Sequence, residues 1–264
     1  MRCLALILAL FCTPLFAGTR TEVDVELFLA VDVSRSMQPF ELEIQRRGYA
    51  AALSSDEVQA AIASGPLGRI AVTYVEWAGV WDQRIVVPWT MVSTPDEAQQ
   101  IADTLTTQFD EGLRRTSISA ALIHAAASIQ SNRFNGLRRV IDVSGDGPNN
   151  MGTGVTLARD QVLAQGITIN GLPLMTRDDS LFSRWDIPDL DAYYEACVIG
   201  GAGAFVVPVT DWAEFEAAVR RKLVLEIGAL PDRIYRAQAQ APAPYKCRVG
   251  EEIWERNRAI FAEP

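Results

Sequence analysis

Hydrophobic positions along this chain of 264 residues fall into two alternating patterns. The first is the short continuous run. Val25 to Val31, interrupted only by Glu26, has the length and β-branched content of a strand buried on both faces. Arg139 to Val143 and Ile167 to Leu172 read the same way, and Ala204 to Val209 reads as a final short strand. The second pattern has helical spacing. Pro39 to Ala63 predicts one or two helices with Leu42, Ala50 and Leu53 turned inward. Thr94-Pro95-Asp96-Glu97 starts a helix running towards Phe109. Thr116 opens another, with Ile118, Leu122, Ala125 and Ile129 on one face. Val155 to Gln165 and Asp189 to Cys197 also read as helical. Asp211 caps a last long helix with an apolar stripe of Phe215, Val219, Leu223 and Ile227, stopped by Gly228.

One pair of strands breaks the alternation. Arg69 to Trp77 and Arg84 to Trp89 are joined across only Ala78 to Asp82, which requires an antiparallel hairpin. Trp77 and Trp81 flank its turn, where packing around the hairpin is the simpler role and an exposed binding patch the alternative. Elsewhere the alternation of helix and strand predicts a doubly wound α/β domain with a mostly parallel sheet and right-handed crossovers.

The first strand ends in Asp32-Val33-Ser34-Arg35-Ser36. Side chains alternate along an extended chain, so Asp32, Ser34 and Ser36 project to one side. A carboxylate and two hydroxyls are hard oxygen ligands, suited to Mg²⁺, Mn²⁺ or Ca²⁺ rather than zinc. Such a cluster also serves as a turn or helix cap. These oxygens do not complete a six-coordinate shell, and two later segments are placed to add more. Thr116 stands where a helix begins, and Asp146 follows a strand at the tight turn Gly145-Asp146-Gly147. In a doubly wound sheet, ligands gather at the carboxyl ends of strands where the strand order reverses. The loop after the next strand, Leu174 to Pro188, falls on that same edge and carries Arg177, Phe182 and Trp185 as candidate contacts to a partner.

Asp-x-Ser-x-Ser after a first strand, a Thr opening a helix and an Asp-Gly after a later strand resemble the von Willebrand factor type A domain. They match its metal-ion-dependent adhesion site, and the order fits from Asp24 to Ile227. Val143 to Asn150 and Ala71 to Ala78 further resemble a bacterial family of secreted type A-like proteins with no assigned function. The resemblance implies that the hairpin forms an antiparallel sheet edge and that helices cover both faces. It also implies that Ser34, Ser36 and Thr116 touch the metal while Asp32 and Asp146 hold its waters. A carboxylate from a partner would fill the open position. The sequence departs from the family in one respect: Arg114 and Arg115 precede Thr116 where the family often has Gly.

The N-terminus changes the expected location. Arg2 precedes a short apolar run from Leu4 to Phe16 broken at Thr13-Pro14, and Ala17-Gly18 follows. This reads as a signal peptide over residues 1–17, well short of the roughly 20 apolar residues of a spanning helix. A periplasmic or secreted protein with no stable membrane anchor is expected. Of the four cysteines, Cys197 and Cys247 then remain. In an oxidising compartment they are expected to pair, tying the linker and tail at 228–264 to the α/β domain at 24–227. Closing that loop contributes roughly 4 kcal/mol on the chain-entropy model.

The net charge of -9 disfavours nonspecific nucleic-acid binding. His124, the only histidine, lies within a predicted helix, and no Gly-x-Ser-x-Gly elbow is present for it to serve. The loop Gly147 to Gly154 lacks the Gly-Lys-Ser/Thr of a phosphate loop. The reading that emerges is a metal-dependent module, not an enzyme, that binds an Asp or Glu carboxylate on a protein partner. A metal-assisted phosphatase or other hydrolase and a metal-stabilised scaffold are the alternatives.

Overall fold

The computed structural model describes residues 20–107, 112–176, 187–228 and 245–261. The predicted signal peptide and the candidate contacts Arg177, Phe182 and Trp185 lie outside the described residues.

Strand β1 (Thr21–Asp32) is the centre of a five-stranded sheet ordered β3-β2-β1-β4-β5. Its residues from Val23 onward are buried, as expected of a strand covered on both faces. β2 (Ile70–Trp77) and β4 (Phe134–Gly145) flank it in parallel, and β5 (Thr168–Pro173) extends the sheet beyond β4. β3 (Gln83–Val92) closes the opposite edge antiparallel to β2. The α/β class, the mostly parallel sheet and the single antiparallel edge strand are therefore as predicted.

Alternate β1 side chains define the two layers. Val25, Leu27, Leu29 and Val31 pack on α1 (Pro39–Leu53), α2 (Asp56–Ala63), α3 (Pro95–Thr107) and α7 (Phe215–Ile227). Phe28 and Ala30 face α4 (Ile118–Ser131), α5 (Val155–Leu163) and α6 (Leu190–Tyr193). The predicted inward residues Leu42, Ala50 and Leu53 are buried, as are the stripes on α4 and α7. The single stretch Pro39 to Ala63 resolves into two helices because Ser55 caps the second, accepting from Val58 N.

Three expectations need correction. Ala204 to Val209 is not a sixth strand; it touches the sheet only through isolated bridges pairing Val206 with Gly171 and Val209 with Leu174. Asp211 caps a short 3-10 turn, Trp212–Glu214, and α7 begins after it. The hydroxyl capping α4 belongs to Ser117, which accepts from Ala120 N, and not to Thr116. That leaves the Thr116 side chain outside the capping role.

The core also contains charge. Lys222 on α7 pairs with Asp142 of β4 at 2.8 Å and with Glu226, and all three are buried. Asn170 of β5 donates to Glu226 at 2.9 Å. The two tryptophans flanking the hairpin turn divide, with Trp77 buried and Trp81 88% exposed. The last element, α8 (Val249–Phe261), follows a disulfide between Cys197 and Cys247. No helix among the described residues is long and apolar enough to cross a membrane.

Candidate metal centre at the switch of strand order

The sheet order places β2 on one side of β1 and β4 on the other, so the chain reverses direction of winding beside Asp32. Asp32 ends β1 opposite Trp77, and Val31 pairs with Ser144, so Asp32 and Asp146 leave adjacent strands. This is the crevice where doubly wound sheets bind ligands.

Backbone pairing fixes the loop that carries the serines. Val33 N donates to Trp77 O at 2.9 Å, and Met37 N to Ser34 O at 2.9 Å. Buried Gln45 on α1 donates to Asp32 O at 3.0 Å. The Thr116 loop is sewn to this one where Leu113 N donates to Val33 O at 2.7 Å, and to the hairpin turn where Ser117 N donates to Ala78 O at 2.7 Å. The Asp146 loop joins through Asn150 N, which donates to Thr116 O at 2.9 Å. Asn150 Oδ1 in turn accepts from Thr116 N at 3.2 Å. All five predicted metal-site residues thus lie on three segments held together at the carboxyl ends of β1 and β4.

The side chains form a relay of oxygens. Ser36 Oγ donates to Asp146 Oδ1 at 2.8 Å. Its single hydrogen is then committed, so in the 2.8 Å contact between the two hydroxyls Ser34 is the donor. Asp32 Oδ1 accepts from Ser34 N at 2.6 Å, while its Oδ2 is buried without a hydrogen-bond partner. Burial first, and the Asp146 carboxylate second, push the Asp32 carboxyl well above the ordinary carboxylate range. Acceptors outnumber donors here, and two carboxylates face one another in a buried place. A divalent cation satisfies both conditions, and the donor set is of the hard oxygen kind it prefers. Among the described residues no group of three or more His, Cys, Asp or Glu is arranged to hold a metal. An ion here would therefore need hydroxyls as well as carboxylates, and those of Ser34 and Ser36 already lie in the relay.

The Arg115 position answers the departure noted in the sequence. Its φ is 78°, the only positive φ at a non-glycine among the described residues. The arginine has kept the left-handed backbone a glycine adopts freely.

Tyr194 and Asn149 were not predicted. A Cβ built on Gly145 would stand 2.9 Å from both Asp32 Oδ2 and the Tyr194 hydroxyl, so the phenol lies beside the buried carboxylate. Tyr194 begins a π-helical turn, Tyr194–Val198, a distortion often found near functional sites. Asn149 is buried, and its Oδ1 accepts from Ser119 N at 3.0 Å. The Gly-Pro-Asn-Asn turn signalled a loop, but neither contact partner is adjacent in sequence. His124 packs edge-on to Phe28, ring centroids 6.1 Å apart. Phe28 lies four residues before Asp32, roughly 13 Å along a strand. The predicted disulfide between Cys197 and Cys247 is present.

A family model described as "Protein of unknown function (DUF1194)" matches residues 22–231. No curated protein matches the chain. Among solved structures, the pilus adhesin SpaC from Lactobacillus rhamnosus GG is similar with a TM-score of 0.55 and 12% identity, over 80% of this chain and 32% of that one. Proximal thread matrix protein 1 from the mussel byssus, in a structure with a zinc-occupied adhesion-site motif, gives 0.53 and 12% over 78% and 48%. The von Willebrand factor type A protein from Catenulispora acidiphila gives 0.51 and 14% over 78% and 43%. The chain therefore spans between about a third and a half of each of these structures. At such identities the likeness establishes a von Willebrand factor type A fold.

Proposed function

The chain belongs to the DUF1194 family of proteins of unknown function, and from its type A fold we propose that it is a metal-dependent protein-interaction module of the periplasm or exterior. The observation that carries this reading is the oxygen relay from Ser34 through Ser36 to Asp146 beside the unpartnered Asp32 Oδ2. Ser34, Ser36 and Thr116 would hold Mg²⁺, Mn²⁺ or Ca²⁺, with Asp32 and Asp146 accepting hydrogen bonds from its waters. When bound, the ion supplies a Lewis-acidic position for a partner's Asp or Glu carboxylate. The adhesin and byssal matrix protein among the structural neighbours support a binding role. So does the position of His124, packed edge-on against Phe28 away from the oxygen cluster rather than available as a general base. The disulfide supports an oxidising compartment.

Water-proton relaxation of the Mn²⁺-loaded chain tests the reading. Glutarate is expected to displace bound water and lower the relaxivity, and the double variant Ser34→Ala, Ser36→Ala to show no effect. Relaxivity indifferent to glutarate in the wild type would contradict carboxylate capture.

A further inference from the structure

The C-terminal helix α8 sits on the two loops that carry Thr116 and Asp146. On the Asp146 side, Asn149 donates from Nδ2 to Glu251 Oε1 at 2.7 Å. Asn149 is the buckle of its loop: besides accepting from Ser119 N, it donates from its backbone N to the Tyr193 hydroxyl at 3.1 Å. A Cβ on Gly250 would stand 2.1 Å from the Asn149 carbonyl oxygen, so the helix is seated as closely as a glycine permits. On the Thr116 side, the Arg115 guanidinium lies 3.4 Å from the centre of the Trp254 ring. This is the arginine whose backbone is left-handed, a conformation that persists where surroundings hold it.

The helix is anchored independently of the chain leading to it. Cys247, two residues before α8, is bonded to Cys197, 50 residues earlier. Cys197 belongs to the π-helical turn that begins with Tyr194, the residue beside Asp32. Both ends of this connection therefore reach the metal centre.

We propose that α8 is a disulfide-anchored strap that holds both metal-site loops in their liganding arrangement, with Glu251 acting through Asn149 and Trp254 through Arg115 as positioning residues. The proposal rests on the metal-binding reading above. Loops of Gly, Pro and Asn sample other arrangements when unrestrained. A site whose competent arrangement is only fractionally populated binds more weakly by that fraction.

The test uses the full oxidised chain in four further forms beside wild type. One is Glu251→Ala with Trp254→Ala, which leaves the disulfide intact. Glu251→Gln keeps an acceptor oxygen, Glu251→Ala alone lacks it, and Cys197→Ser with Cys247→Ser removes the anchor. Hydrogen exchange of the metal-free protein is read at the amides of Ser119, Asn149 and Asn150, and Mn²⁺ affinity is measured by titration. In the double alanine and double serine variants, loop exchange is expected to quicken about tenfold and the Mn²⁺ Kd to rise about tenfold, with β1 amides unchanged. Glu251→Gln is expected to keep the wild-type values, and Glu251→Ala to fall between. Unchanged loop exchange in the double alanine variant, or faster exchange at unchanged Mn²⁺ affinity, overturns the proposal. Failure of the wild type itself to bind Mn²⁺ contradicts the metal-site reading instead, and the exchange arm still decides whether α8 holds the loops.

Discussion

Ser36 donates from its hydroxyl to Asp146 at 2.8 Å, a bond across 110 residues of sequence that closes the metal-site loops over the ends of β1 and β4. The geometry ranks Asp146 as the acceptor on which the hydroxyl relay terminates. Asp146→Ala is expected to weaken Mn²⁺ binding by more than tenfold. The metal-free chain should change in stability by less than about 1 kcal/mol, because the substitution also removes the charge facing buried Asp32. Titration and urea unfolding of the same preparation measure both effects. A loss of several kcal/mol would instead make Asp146 a structural residue.

Gly145 separates Asp32 from Tyr194, and an added Cβ would lie 2.9 Å from an oxygen of each. Gly145→Ala should cost about 1–3 kcal/mol through overpacking. It should also reduce metal affinity by displacing the Asp32 carboxylate. Unfolding and affinity both at wild-type values would show that the phenol and carboxylate are free to separate.

The candidate metal residues are legible in the sequence because each announces itself locally. Asp32, Ser34 and Ser36 share one side of an extended segment, Asp146 ends an apolar run at a glycine turn, and Thr116 precedes a helical pattern. The Cys197–Cys247 pairing followed from counting what a signal peptide would leave. Ala204 to Val209 misled because its short, valine-rich apolar run fits a strand, although it makes only isolated bridges beyond the edge of the sheet. Tyr194, Asn149 and Glu251 left no local signal. Their roles depend on contacts between distant segments, such as the one joining Asn149 to a helix 102 residues later.

The buried cluster on α7 gives a pH dependence. Burial, partly offset by Lys222, pushes the Glu226 carboxyl from 4.5 up to about 7. The folded state then holds a proton that the unfolded state releases between those values. Stability therefore falls as pH rises from about 4.5 to 7, by on the order of 3 kcal/mol, and this contribution is flat above. Asp142, also raised, slopes in the same sense. Glu226→Gln should flatten the difference across that window in urea unfolding followed as a function of pH. An unchanged slope would remove Glu226 as its source.

Trp77 and Trp81 separate packing from surface. Trp77→Ala should cost about 3–5 kcal/mol, since the indole is buried in the core. Trp81→Ala, at an exposed ring, should stay within about 0.5 kcal/mol. Thermal unfolding of the two variants distinguishes them, and a large loss at Trp81 would show that the ring is covered in solution.

The most direct measurement is calorimetric titration of the metal-stripped chain with Mg²⁺, Mn²⁺ and Ca²⁺, beside the Ser34→Ala, Ser36→Ala double variant. Saturable binding at one site, lost in the variant while its unfolding transition is retained, is the predicted result. Equal binding by both proteins, or none by the wild type either alone or with glutarate present, would contradict the account.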